Sequence, residues 1–296
     1  MIAQQLLNGL VSGGVYALFA LGFTLVFGLH GILNLAHGAV LMAGAFIAYY
    51  TVIAGFPLAL GLVLAILGGG LLSVLLEFTA FRRLRRSGEV EFGAIISSIG
   101  ASLVLVTIAQ RISHTQVMRF PFGTFPIVIF QFLGVRVSAL QLFMAACSVV
   151  LVVVMWFCLY RTRAGRQIRA VASNERAAVL VGTNPNVVYF QTFFLSGALA
   201  GAAGVLVGLA FNSIHFMMGE PYLLRGFVVI ILGGLGSVPG AMLASLLFGM
   251  IQTLTIAYLP SGLTDAIIYS ALFVILLVRP NGLLGKPEAG VMRGRR

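Results

Sequence analysis

The 296-residue chain is poor in charge: seven acidic and 18 basic residues make up 8% of it, against 60% hydrophobic residues. So few ionisable groups cannot cover the surface of a water-soluble domain of this size, and lipid is the expected solvent. Lysine is nearly missing, since 17 of the 18 basic residues are arginine. A formal charge of +11 would suit nucleic acid, but the arginines cluster beside apolar runs, which points to a membrane surface instead. Cysteine is scarce too. Cys147 and Cys158 fall on one expected helix, where eleven residues at about 1.5 Å each set them roughly 16 Å apart, too far for a disulfide. With no CxxC or zinc spacing, no metal site is expected, and the cysteines say nothing about compartment.

Catalytic signatures are missing as well. There is no HExxH, no GxSxG and no pair of carboxylates, and Gly285-Lys286 has the wrong spacing for a phosphate loop. The chain is therefore expected to be no enzyme and to bind no cofactor, so energy for uphill transport would enter through a partner. Glu77, Glu89, Glu91, Glu175, Glu220, Asp265 and Glu288 fall at span ends, in loops or in the tail. Ion-coupled carriers often place a carboxylate at mid-span, which weakens that reading, although backbone carbonyls can bind sodium.

What is abundant is uninterrupted apolar sequence. Uncharged runs occur near 4–29, 34–54, 57–76, 92–110, 138–160, 189–211, 239–258 and 262–278, most of them close to the roughly 20 residues a bilayer-spanning helix needs. This predicts an all-α, polytopic integral membrane protein of about eight transmembrane helices plus broken or half helices. The run 226–235 is too short to span and is expected as a half-helix, tolerable at membrane depth only where protein or water satisfies its backbone. The start, "MIAQQLLNGLVSGG", lacks a basic n-region and a cleavage site and predicts a retained first span. Residues 1–285 are expected to form one transmembrane domain, followed by a basic tail at 286–296.

Fourteen of the eighteen basic residues lie in 81–91, in 161–185 and from Arg279 onward, which makes those segments cytoplasmic and the amino terminus external. Arg111, Arg119 and Arg136 flank the opposite loop and count against this, but they are fewer. Trp156 with Tyr160, and Tyr49 with Tyr50, suit aromatic belts at the two interfaces.

Glycine carries a second signal. Gly197, Gly201, Gly204 and Gly208 recur at steps of four, three and four, a stripe that lets another backbone approach closely; Gly9 and Gly13 read the same way. "GILNLAHGA" (31–39) and "GGLGSVPGA" (233–241) are matched breaks in opposite halves, the pattern of transporters with a midplane site. A translocation path is therefore expected near Asn34, His37, Gly38, Gly234 and Ser237, with Glu220 ahead of the half-helix. Asn34 and His37 either line that path or, alternatively, cap the broken helix and bond a neighbouring span.

Between two apolar runs lies "SNERAAVLVG" (173–182). Ser173 or Asn174 can cap a helix, Glu175 suits its first turn, Gly182 suits the position past its end, and Pro185 stops continuation. The result is about two turns, too short to stand alone, with Ala177 and Ala178 as a small contact surface. A groove in a soluble partner would accommodate it; the alternative, an interfacial helix resting on anionic lipid, is weaker because the alanines offer little to bury.

These residues carry a resemblance. "AAVLVG" resembles the core of the cytoplasmic coupling loop in permease subunits of bacterial ABC importers, and the chain from about 1 to 285 is similar to the branched-chain amino acid permease family. The similarity lies in "GLVSGGVYALFALGFTLVFGLHGILNLAHGA" (9–39), "RAGRQIRAVASNERAAVLVGTN" (163–184), "LSGALAGAAGVL" (195–206) and "GGLGSVPGA". Arg176 departs from the general importer motif, which has Glu there. The resemblance implies an inverted-repeat permease in the bacterial inner membrane, paired with a second related permease, two cytoplasmic ATPases that hold ATP and Mg, and a periplasmic substrate-binding protein. It also implies a coupling loop at 161–187, with Asn174, Glu175, Arg176, Ala177, Ala178 and Gly182 transmitting ATPase motion. Relatives carry leucine, isoleucine and valine, or other amino acids, urea, short amides or aromatic acids.

Overall fold

The computed structural model describes residues 2–82, 84, 90–132, 134–260, 263–279 and 282–285; the basic tail from 286 onward lies outside them. Each of the eight uncharged runs lies largely within a helix. The long helices are α1 (Ile2–His30), α3 (Leu58–Leu76, continued by a π-helical turn at Glu77–Phe81), α4 (Val90–Ile112), α5 (Ala139–Arg161), α8 (Pro185–Phe211) and α10 (Val238–Tyr258). These six are long and apolar enough to cross a bilayer, while α2 (His37–Ile53) and α11 (Thr264–Val278) are shorter. The expected half-helix is α9 (Gly219–Gly233). The protein is an all-α polytopic membrane protein.

Burial separates these helices where hydropathy alone does not. α5 has a mean hydropathy of 2.7 yet is 22% buried over its most apolar window, whereas α1 and α8, both at 2.0, are 72% and 78% buried. Large apolar side chains gain nothing from leaving lipid, so they line the outside, and small residues that let backbones meet occupy the centre. α8 shows the consequence. Its Gly197 and Gly201 abut Gly69 and Ala65 of α3, Gly204 meets the Leu41 carbonyl of α2, and Gly208 faces Ile214 and Phe120. A Cβ at Gly9 or Gly13 of α1 would stand 2.8 Å from Met250 Cα or 2.9 Å from Leu246 Cα of α10. Helices α1 and α8 thus form the hub, with α10, α3, α2 and α9 around it and α4 and α11 at the edge.

One end of the bundle carries a two-stranded antiparallel hairpin, β1 (Ile129–Phe132) and β2 (Val135–Ser138), which the reading of the sequence did not anticipate. Gln4 at the start of α1 clasps the hairpin by exchanging two 2.8 Å hydrogen bonds with the Arg136 backbone. Ser138 and Gln141 form a reciprocal capping box that opens α5. The other end collects Arg82, Arg161, Arg163, Arg166, Arg169, Arg176 and Arg279.

That arginine-rich end contains two helices where one was expected. α6 (Arg163–Ser173) is capped by Thr162 and buries Ile168 and Val171, while Arg163, Arg166 and Arg169 stay exposed. α7 (Glu175–Leu180) follows at once. Pro185, expected to stop a helix, starts α8 at its first position, where a missing N–H costs nothing.

Candidate functional site

The first matched break, residues 31–36, turns back into the bundle. His37, the first residue of α2, packs on Phe19 and Phe23, well inside α1 rather than at its end, so α2 begins within the bundle. Asn34 is fully buried; its Oδ1 accepts from the Ala36 N–H at 3.1 Å, while its Nδ2 has no partner among the described residues. The His37 ring lies parallel to Phe23 at 5.5 Å, with Nε2 3.2 Å from the Phe19 carbonyl and Nδ1 3.5 Å from Ser196 Oγ of α8. A carbonyl only accepts, so Nε2 carries the hydrogen and Nδ1 accepts from the serine. His37 thereby bonds the neighbouring spans α1 and α8, while Asn34 closes a local turn onto Ala36, the residue before α2, which carries no side-chain cap of its own.

Two helix beginnings meet beside them. α9 also starts inside the bundle, and the backbones of Gly38 and Gly219 touch so closely that a Cβ on Gly219 would lie 3.2 Å from Gly38 Cα, with the Gly38 carbonyl nearer still. Both helices bring the positive ends of their dipoles to this contact. Next to this contact is a cavity of about 270 Å³, lined chiefly by Leu35, Met42, Leu103, Phe216 and Leu223, with Ser102 and Glu220 as its polar side chains. Of the six expected path residues, Gly38 and Glu220 border this cavity. Gly234 and Ser237 lie at the second break, where Gly234 has φ +99° and Ser237 caps α10. Gly236 of that break packs on Gly28 in the last turns of α1, just ahead of the first break.

The short helix α7 is built much as its residues foretell. Asn174 Oδ1 accepts from the Ala177 N–H at 3.0 Å, and Gly182 ends the turn at φ +85°. Two features differ from the alanine surface expected. Ala178 is 3% exposed and belongs to the protein's own core, whereas Leu180 and Val181 are 88% and 79% exposed. Glu175, moreover, accepts a 2.9 Å hydrogen bond from the Tyr189 hydroxyl of α8, and the Tyr189 ring stacks at 4.3 Å on His30, the last residue of α1. α7 is thus tied to the helix that leads into the first break. Arg169 of α6 donates to the Leu159 carbonyl and lies over the Tyr160 ring, fixing α6 to the end of α5. Arg176 is exposed.

Arg225 was missed as a functional candidate. It lies on α9 and donates to the Tyr16 hydroxyl at 3.4 Å and to Asp265 of α11 at 3.2 Å. Tyr16 stands halfway along α1, so the guanidinium reaches membrane depth. Glu77, read as a span-end acid, is fully buried in the π-helical turn.

Known proteins match this chain over nearly all of its length. The family described as "Branched-chain amino acid transport system / permease component" matches residues 5–277. The chain is 33% identical to the high-affinity branched-chain amino acid transport system permease protein BraD of Pseudomonas aeruginosa, over 96% of both chains. It is 31% identical to the corresponding permease protein LivH of Escherichia coli, again over 96% of each. The probable branched-chain amino acid transport permease protein LivH of Methanocaldococcus jannaschii is 25% identical over 95% of this chain and 92% of its own.

Proposed function

The chain belongs to the family of permease components of branched-chain amino acid transport systems, and from that membership we propose that it is the membrane-embedded subunit of an ATP-driven importer. Its cargo is a branched-chain or other small amino acid, and it sits in the inner membrane with the arginine-rich end in the cytoplasm. A second, related permease completes the path, two cytoplasmic ATPases hold ATP and Mg, and a periplasmic binding protein delivers substrate at the hairpin end.

The observation that carries this reading is the exposed Leu180-Val181 tip on a helix that its own fold ties down on the opposite side. Two large apolar residues at near-full exposure on the most charged end of the bundle fit a groove in a water-soluble partner. A partner that binds the tip differently before and after it takes up ATP shifts the permease between two conformations. Motion of α7 reaches α8 through Glu175 and Tyr189, and α1 through His30. From there it reaches the break at 31–36, where His37 bonds α1 and α8 and the next residue, Gly38, meets Gly219 of α9. Gly38, Glu220, Gly234 and Ser237 shape the path around that junction, and the Gly197, Gly201, Gly204 and Gly208 contacts keep the hub rigid against it.

The test is uptake of labelled leucine into proteoliposomes that contain the two permeases and the two ATPases, with binding protein on the outer side and ATP inside. Uptake that requires ATP and persists when ion gradients are collapsed supports the importer. Uptake that follows an ion gradient without the ATPases overturns it in favour of a secondary carrier.

A further inference from the structure

A guanidinium at membrane depth must be held by protein or water, because a charge facing acyl chains is strongly disfavoured. Arg225 has that support on one side. Tyr16, 4% exposed, receives the Nη1 hydrogen bond, stacks on Tyr222 at 5.5 Å and meets the Phe248 ring of α10 edge-on at 4.8 Å. On the other side Nη2 pairs with Asp265, whose side chain is 58% exposed, against 22% for Arg225. An ion pair that is rigidly backed and open in front does not suit a lipid-facing surface. The open Asp265 carboxylate is therefore expected to face an aqueous path and not acyl chains.

We propose that Arg225 and Asp265 form a recognition site for the two charged ends of a zwitterionic amino acid. This deepens the importer reading and rests on it. Arginine presents N–H donors in one plane and can grip a carboxylate in two-pronged fashion. The ion pair opens as the ligand enters: the substrate carboxylate replaces Asp265 on the guanidinium, and the substrate ammonium takes the freed Asp265 carboxylate. Every charge is paired before and after, and the net charge of the site stays zero. A monocarboxylate would leave Asp265 alone, an amine would leave Arg225 alone, and urea or a short amide offers neither charge. Each would pay the penalty of an unpaired charge at low dielectric, so the pair discriminates among the cargoes that the family resemblance left open.

The experiment uses the full reconstituted complex and three variants. Asp265→Asn removes one charge at constant shape; Arg225→Met with Asp265→Leu replaces the pair by apolar side chains; Arg225→Asp with Asp265→Arg reverses it. Leucine uptake is expected to fall at least about thirtyfold in each, the scale for removing one partner of a charge pair, with the melting temperature of the purified permease retained in Asp265→Asn. A purely structural pair would tolerate reversal or apolar replacement, so uptake within about twofold of the parent in any variant overturns the proposal. If the two double variants melt early, Asp265→Asn alone decides it. Failure of the parent complex to use ATP would instead overturn the importer reading itself.

Discussion

Truncating Leu180 to alanine isolates the tip of α7 from everything else in the protein. The side chain is 88% exposed, so its loss leaves the permease's own packing untouched and the melting temperature close to that of the parent. If an ATPase groove covers it, the variant forfeits burial of three carbon groups at about 0.8 kcal/mol each, or about 2 kcal/mol once residual exposure is allowed for. That corresponds to about a thirtyfold weaker dissociation constant. The assay is titration of purified ATPase against nanodisc-embedded permease, read by fluorescence anisotropy. Ala178→Leu is the contrasting variant: Ala178 is 3% exposed, so enlarging it should displace α7 and lower the melting temperature. A dissociation constant for Leu180→Ala within twofold of the parent would refute the docking geometry.

Two further outcomes follow from the same contacts. Gly204→Ala forces a methyl group onto the Leu41 carbonyl and should destabilise the α2–α8 packing by about 1–3 kcal/mol or more, measured as a lower melting temperature in detergent; an unchanged midpoint would contradict the close backbone approach. Tyr189→Phe removes the hydroxyl that bonds Glu175 while keeping the ring on His30, and should raise the ATP consumed per leucine imported. Glu175→Gln keeps an acceptor and should leave that ratio near the parent's, whereas an equal rise in both would point to a charge effect instead of the hydrogen bond.

Apolar run length was enough to find the membrane helices, because lipid demands long uncharged helices from any chain. The caps of α7 were legible for the same local reason: Asn174 and Gly182 act within a few residues of themselves, whereas Ser237, expected on the path, proves to cap α10. What was illegible depends on depth and on neighbours. Arg225 only precedes the short run 226–235 in the sequence, and it is the start of α9 inside the bundle that places it beside Tyr16. Ala178 and Leu180 are two residues apart on a short helix, and sequence alone does not say which side faces α8. Pro185 is compatible with ending one helix or starting the next, and it does the latter because Asn184 supplies the cap. The hairpin at 129–138 had a signal in the alternating "IFQF" and "VRVS" around a glycine, overshadowed by the apolar runs on either side. α6 had one too, in Ile168 and Val171 at a helical step of three behind Thr162.

A single cysteine at position 181, in a chain whose Cys147 and Cys158 are replaced, reports both where the tip lies and what it touches. The expected result is labelling by a membrane-impermeant maleimide only in inside-out vesicles, with protection by the ATPase and capture of that subunit by a short bifunctional crosslinker. Labelling from the outside of intact cells, or full reactivity in the presence of saturating ATPase, would contradict the coupling of this permease to an ATP-driven motor through α7.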